Sequence, residues 1–231
     1  MRQPLVLITG AAGGLGRVLA ADFRADGARL ILVDVSREGL DAAFGDWDGC
    51  VRVVADLTRA SAAREALAPV LRDHSPVTVL CNVAGGFSMG PAVHETPDDA
   101  WRRLIELNVA TLINAANVVV PGMLAAGYGK VVNVAAASAT RGAAATGAYI
   151  ASKSAVARLT ESMALELREQ GVNVNAVAPS VIDTPSNRAT MLDADYSRWV
   201  TPEKLSNVIR FLASDDADAV HGAVVPVVGL S

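Results

Sequence analysis

A strand of buried type that runs straight into a glycine loop and then a helix commits a chain to one architecture, and residues 5–23 have that form. Leu5-Val6-Leu7-Ile8 is apolar without interruption, as in a parallel strand covered on both faces. Thr9-Gly10-Ala11-Ala12-Gly13-Gly14-Leu15-Gly16 follows, and in Arg17-Val18-Leu19-Ala20-Ala21-Asp22-Phe23 apolar residues recur at helical spacing. Such a turn lets backbone approach a pyrophosphate, which then rests on the N–H groups at the helix N-terminus. Strand-like and helical runs alternate to the end of the chain, with strands expected at 5–8, 29–33, 51–55, 77–81, 130–134, 172–178 and 224–228. Helices are expected at 14–26, 60–73, 98–126, 148–170 and 202–214, with Gly27, Gly127 and Gly171 as helix stops. The pattern predicts an α/β fold: a three-layer, doubly wound parallel sheet of about seven strands, one domain over 1–231.

Tyr149 and Lys153 stand four residues apart, on one face of the helix expected at 148–170. A phenol ionises near pH 10 in water, and a neighbouring ammonium lowers that value by stabilising the phenolate. A dinucleotide loop and a proton-moving pair together imply nicotinamide oxidoreductase chemistry. Asp34 closes the second strand about twenty residues beyond the loop, where a carboxylate bonds the adenosine ribose and repels a 2′-phosphate. Arg17 and Arg37 nearby read as solvated charges, so NAD(H) is the expected cofactor.

The other features mostly exclude. An apolar fraction of 52% supports a large core, and a net charge of −4 gives no footprint for nucleic acid. The run 109–124 carries Asn114, Asn117 and Pro121 and reads as a buried helix, so no membrane association is expected. The first strand starts too early for a signal peptide, which with Cys50 and Cys81 as free thiols gives a cytoplasmic expectation. His74, His94 and His221 have no ligand spacing, so no metal site is expected.

The glycine spacing resembles that of the short-chain dehydrogenase/reductase family, T-G-x-x-x-G-x-G, and the resemblance runs along nearly the whole chain. Asp34, Asp56-Leu57-Thr58, Asn82-Val83-Ala84-Gly85, Asn108, Tyr149-x-x-x-Lys153 and Pro179-Ser180-Val181-Ile182-Asp183-Thr184 fall in family order. The resemblance implies that Gly10, Gly14, Leu15, Gly16 and Asp34 bind the cofactor, with Asp56 accepting from the adenine and Leu57 beside it. It implies that Asn82, Ala84 and Gly85 leave room for adenosine, and that Pro179, Ile182 and Thr184 hold the nicotinamide end. Tyr149 then acts as general acid/base, Lys153 bonds the nicotinamide ribose, and Asn108 kinks its helix beside the lysine. Residues 183–200 match the family's substrate segment, and its helices pair across two-fold axes, implying a homodimer or homotetramer acting on a small-molecule substrate.

Three departures stand out. Val83 replaces a second asparagine, Ser180 replaces a glycine, and Ala136 occupies the place of the family's active-site serine. Ser138 shares Ala136's side if the strand stays extended and is then a catalytic candidate, with Thr146 a weaker one. Alanine at 136, and the run Asp183-Thr184-Pro185-Ser186-Asn187-Arg188 with Met191 and Asp193 to Trp199, resemble dihydropteridine reductase and its bacterial relatives. The implied activity is hydride transfer between nicotinamide and a small carbonyl, alcohol or conjugated C=N/C=O compound. A dihydropteridine-reductase-like enzyme and a catalytically attenuated NAD(H)-binding regulator are the alternatives.

Overall fold

In the computed structural model, which describes residues 3–74 and 76–231, the apolar runs become seven strands. They are β1 (Leu5–Thr9), β2 (Arg29–Asp34), β3 (Cys50–Val54), β4 (Val79–Asn82), β5 (Gly129–Val134), β6 (Val172–Pro179) and β7 (Val224–Val227). All pair in parallel, in the order β3-β2-β1-β4-β5-β6-β7. Both faces are covered, which is why β1 is apolar from Leu5 to Ile8 and β2 from Leu30 to Val33 rather than at alternate positions. Val6 and Ile8 of β1, with Leu30 and Leu32 of β2, enter one core; Leu5, Leu7, Ile31 and Val33 enter the other.

The first core is roofed by α1 (Gly14–Ala25), the short α2 (Arg37–Phe44) and α8 (Pro202–Leu212). The second lies under α3 (Ala60–His74) and α5 (Thr111–Ala126), flanked by α6 (Gly147–Leu167). The expected helix at 98–126 is continuous but not uniform. It runs as α4 (Asp98–Ile105), one π turn (Glu106–Ala110) and α5, with Asn108 at the centre of the π turn. This run passes as a membrane span by length and composition, yet Ala115, Val119 and Met123 are buried in the second core. Gly27, Gly127 and Gly171 all have left-handed φ, as helix stops require.

Two elements went unseen in the sequence. In α2, Leu40 and Phe44 are buried and the Ser36 hydroxyl caps the Gly39 N–H. Eight residues with a glycine inside give too little periodicity to find. Within 183–200 lies α7 (Pro185–Thr190), capped by the Thr184 hydroxyl, which accepts from the Asn187 N–H.

At the opposite end of the sheet from those loops, Lys130 on β5 is almost wholly buried and its ammonium pairs with Asp218. Asn173 on β6 donates to the Val220 carbonyl beside it, at 2.8 Å. Removing the carboxylate leaves a buried ammonium without its counter-charge. Asp218→Ala should therefore lower stability by roughly 1–3 kcal/mol. Adding Lys130→Met should recover most of that loss in urea unfolding, whereas additive losses would contradict the pairing.

Candidate active site

Strand order reverses between β1 and β4, so the helices that follow them leave toward opposite faces and a crevice opens at the strand C-termini. It measures about 420 Å³, and Gly14, Asp34, Asp56, Gly85, Ile182 and Thr184 are among its lining. A hollow of similar size, about 450 Å³, lies by Arg24, Arg29 and Cys50, and none of the catalytic or cofactor-binding candidates lines it.

The glycine loop is locked from three sides. Thr9 Oγ1, fully buried at the end of β1, accepts from the Val83 and Ala84 N–H groups, both at 3.1 Å, pinning the turn after β4. Gly10 has φ +64° and lies so close to that turn that an added Cβ would stand 2.9 Å from Ala84 Cα. Across the crevice, a Cβ on Gly14 would meet the Thr184 methyl at 2.8 Å. The N-terminus of α1 has no side-chain cap and no acidic residue in its first turn. Its unsatisfied N–H groups and helix dipole suit a phosphate.

Asp34 Oδ2 accepts from the Ala12 N–H at 3.0 Å and Oδ1 from the Ser36 N–H at 3.1 Å. The carboxylate thus ties the glycine loop to the start of α2 and retains lone pairs toward the crevice. Arg17 is drawn to the Ala12 carbonyl at 2.6 Å, an engaged charge rather than a free one. Asp56 is held below the usual carboxylate range, first by the Thr58 hydroxyl at 2.5 Å, and Arg59 pairs with its other oxygen at 3.1 Å. The residue therefore starts α3 as well as lining the crevice, and Leu57 is pinned through its carbonyl by Asn114 at 2.9 Å.

At the far end, the Ile182 carbonyl accepts from Thr184 N and Asn187 Nδ2, at 2.9 and 2.8 Å, while its N–H has no protein partner among the described residues. Ser180 donates to the Val228 carbonyl and bonds the Ser231 hydroxyl, so its hydroxyl supports the chain end. Beyond it Asp183 and Arg188 pair in bidentate fashion, and the guanidinium lies 4.7 Å over the Tyr196 ring. The segment 183–200 is thus braced by its own side chains.

Deeper in, Asn108 receives the Gly86 N–H at 2.9 Å and donates to the Gly86 carbonyl and to Ser152 Oγ, both at 3.0 Å. A Cβ on Gly85 would stand 2.6 Å from Asn108 Oδ1 and 3.2 Å from Lys153 Nζ, so those two side chains meet over a glycine. Lys153 is buried, and its ammonium donates to the Val134 carbonyl at 2.7 Å. Burial pulls its pKa down to about 8 and pushes that of Tyr149 up to about 12. The expected lowering of the phenol by Lys153 is absent, because desolvation outweighs it among the protein groups. Of the three tyrosines, Tyr128 and Tyr196 each spend their hydroxyl on a protein acceptor, whereas Tyr149 has none among the described residues.

Asn82 is buried and bonds Asn133, which bonds Thr160, so it braces β4 to β5 and α6. Its Oδ1 is the single buried side-chain polar atom without a partner among the described residues. Ala136 is buried at the end of β5. The extended strand that would have placed Ser138 beside it does not exist: β5 ends at Val134 and Ala137–Thr140 is a 3-10 turn. Ser138 is exposed and without a hydrogen bond, and Thr146 spends its hydroxyl on the Ala143 carbonyl. Sequence reasoning missed Thr9 as a clamp, Ser152 beneath Asn108, and Phe87, whose ring meets Tyr149 edge-on at 4.8 Å. A buried threonine at a strand end was the one available signal.

Residues 4–195 match the family model described as short chain dehydrogenase. The galactitol 2-dehydrogenase (L-tagatose-forming) of Cereibacter sphaeroides is 36% identical over 96% of this chain and 92% of its own. The 3-oxoacyl-[acyl-carrier-protein] reductase FabG of Thermotoga maritima is 32% identical over 96% and 95%. A solved NAD+-bound xylitol dehydrogenase superposes with a TM-score of 0.89 at 25% identity, covering 98% of both chains.

The two shifted groups have opposite effects on stability. Lys153 is lowered, so between about pH 8 and 10.5 the unfolded chain binds more protons and stability rises with pH. Tyr149 is raised, so the stability it contributes below pH 10 is lost as pH climbs toward 12. From about pH 7.5 to 9.5, urea unfolding should show a rise in stability that Lys153→Met lacks, on the order of 1–2 kcal/mol. Parallel curves for the two proteins would contradict the buried ammonium.

Proposed function

Since the chain belongs to the short-chain dehydrogenase/reductase family, an oxidoreductase family that binds a nicotinamide cofactor, we propose that it is an NAD(H)-dependent oxidoreductase. Its substrate is a small carbonyl or alcohol, or a conjugated C=N/C=O compound, and Tyr149 is the general acid/base. One observation carries the reading: Tyr149 presents a hydroxyl free of protein partners among the described residues, on the helix whose Lys153 ammonium lies with Asn108 over Gly85.

The crevice fits the cofactor, because side chains at Gly10 or Gly14 would fill it and the α1 N-terminus is uncapped. In this reading α1 and the loop of Gly10, Gly14, Leu15 and Gly16 hold the pyrophosphate, and Asp34 bonds the adenosine ribose. Asp56, Leu57, Ala84 and Gly85 line the adenosine end, with Asn82 supporting the strand beneath. Pro179, Thr184 and the free Ile182 N–H hold the carboxamide end. The bound nicotinamide supplies or accepts the hydride. Tyr149 gives its proton to the substrate oxygen in reduction and takes it back in oxidation. A phenol with a pKa near 12 is fully protonated at neutral pH, ready to act as an acid. Lys153 bonds the nicotinamide ribose, and its buried charge favours the phenolate that proton donation leaves. Asn108 fixes the Gly86 backbone and Ser152, and so the helix that carries Tyr149.

Ala136 and the exposed Ser138 leave the substrate oxygen without a second hydroxyl. That favours a substrate already polarised, and it motivates the dihydropteridine-reductase-like alternative; an attenuated regulator is the reading if turnover is absent. Exposed Ile113 on α5 and Leu165 on α6 support a homodimer or homotetramer through those helices. The composition and the free cysteines support a cytoplasmic location.

Assaying NADH oxidation with a ketone panel and with quinonoid dihydropterin separates these readings. Tyr149→Phe should reduce kcat by about 10²–10⁴-fold with NADH affinity little changed, while Ser138→Ala stays close to full activity. Near-full activity of Tyr149→Phe would overturn the mechanism. Titration calorimetry should find NADH bound more tightly than NADPH, with Asp34→Ala narrowing the gap; equal affinities in the unaltered protein would refute the cofactor choice.

A further inference from the structure

Two segments flank Tyr149, residues 86–93 and 142–149, and neither contains a charged residue. They are fastened together: the Gly90 N–H donates to the Ala145 carbonyl at 2.8 Å, and the Val93 side chain presses on Gly147. Their hydroxyls are consumed locally, Ser88 on the Met89 carbonyl and Thr146 on the Ala143 carbonyl. What remains is apolar and bare. Phe87 is 58% exposed although its ring packs edge-on against Tyr149, and Met89 and Val93 are 65% and 61% exposed.

From this geometry we infer that the substrate is an apolar ring carbonyl or the matching secondary alcohol, poor in other hydroxyls, and that Phe87 selects it. The inference rests on the oxidoreductase reading above and names the substrate class of the same site. With Ala136 buried in place of a serine, the substrate oxygen takes its proton from Tyr149 and the rest of the molecule is oriented by shape. A flat ring laid against the exposed part of Phe87 provides that orientation and removes both apolar surfaces from water. A polyol or open-chain sugar would bring several hydroxyls against two segments whose Ser88 and Thr146 hydroxyls are already spent, and hydroxyls left unpaired weaken binding.

The test compares reduction of cyclohexanone and 1-indanone with reduction of dihydroxyacetone and L-xylulose, in the unaltered protein, Phe87→Ala and Phe87→Leu. Ring ketones should exceed the sugars at least tenfold in kcat/KM. Phe87→Ala should raise KM for 1-indanone about tenfold with NADH affinity within twofold, and Phe87→Leu should recover part of the loss. A readout independent of turnover is ultraviolet titration against Tyr149→Phe, in which Phe87→Ala should move the Tyr149 ionisation down as water reaches the phenol. Sugars reduced as well as ring ketones, no ketone reduced at all, or an unmoved KM in Phe87→Ala would each overturn this inference. Turnover that survives Tyr149→Phe would instead overturn the general acid/base reading on which the inference rests.

Discussion

A parallel sheet covered on both faces has no room for chemistry along its length. The two cores take every inward side chain of β1 and β2, one core on each side, so polar function is confined to the strand ends. Where the order reverses between β1 and β4, the diverging helices leave a cleft that nothing else in the fold fills. Thr9, Asp34, Asn82, Val134 and Ile182 all lie at or just past a strand's C-terminal end, and each supplies a group to the cleft or to a neighbour that lines it.

That confinement explains how much of the molecule was legible in the sequence. Long buried strands announce themselves, so all seven were placed within about two residues at their ends, the usual uncertainty of such boundaries. The glycine loop and the Tyr149–Lys153 pair were legible because they are local patterns. What stayed hidden depends on contacts between distant segments. Asn108 reaches Gly86 and Ser152, 22 and 44 residues away, and no local pattern encodes such a bond. Ser138 looked useful only on the assumption of an extended strand, and a 3-10 turn after Val134 removed that premise. Phe87 belongs to no motif, and only the fold sets it against Tyr149.

The electrostatics of the pair follow from its depth. Burial disfavours any charge, so it moves the phenol and the ammonium toward their neutral forms, in opposite directions on the pH scale. The protein therefore does not by itself create a phenolate at neutral pH; it stores a proton on Tyr149 beside an ammonium whose single fixed acceptor is the Val134 carbonyl. Rigidity here comes from side chains bonding backbone, as with Thr9 and Asn187, more than from exposed ion pairs.

Asp34 serves two masters in this arrangement. The carboxylate that lines the cleft at the end of β2 also receives the Ala12 N–H and so helps to shape the glycine loop. On the proposed reading, recognition of the ribose and support of the phosphate cradle are thereby written into one side chain. On that reading, a lineage with this arrangement could not trade its dinucleotide by a single exchange at this position without also loosening the loop. The first accepted change would then fall elsewhere, at a residue able to hold the Ala12 amide.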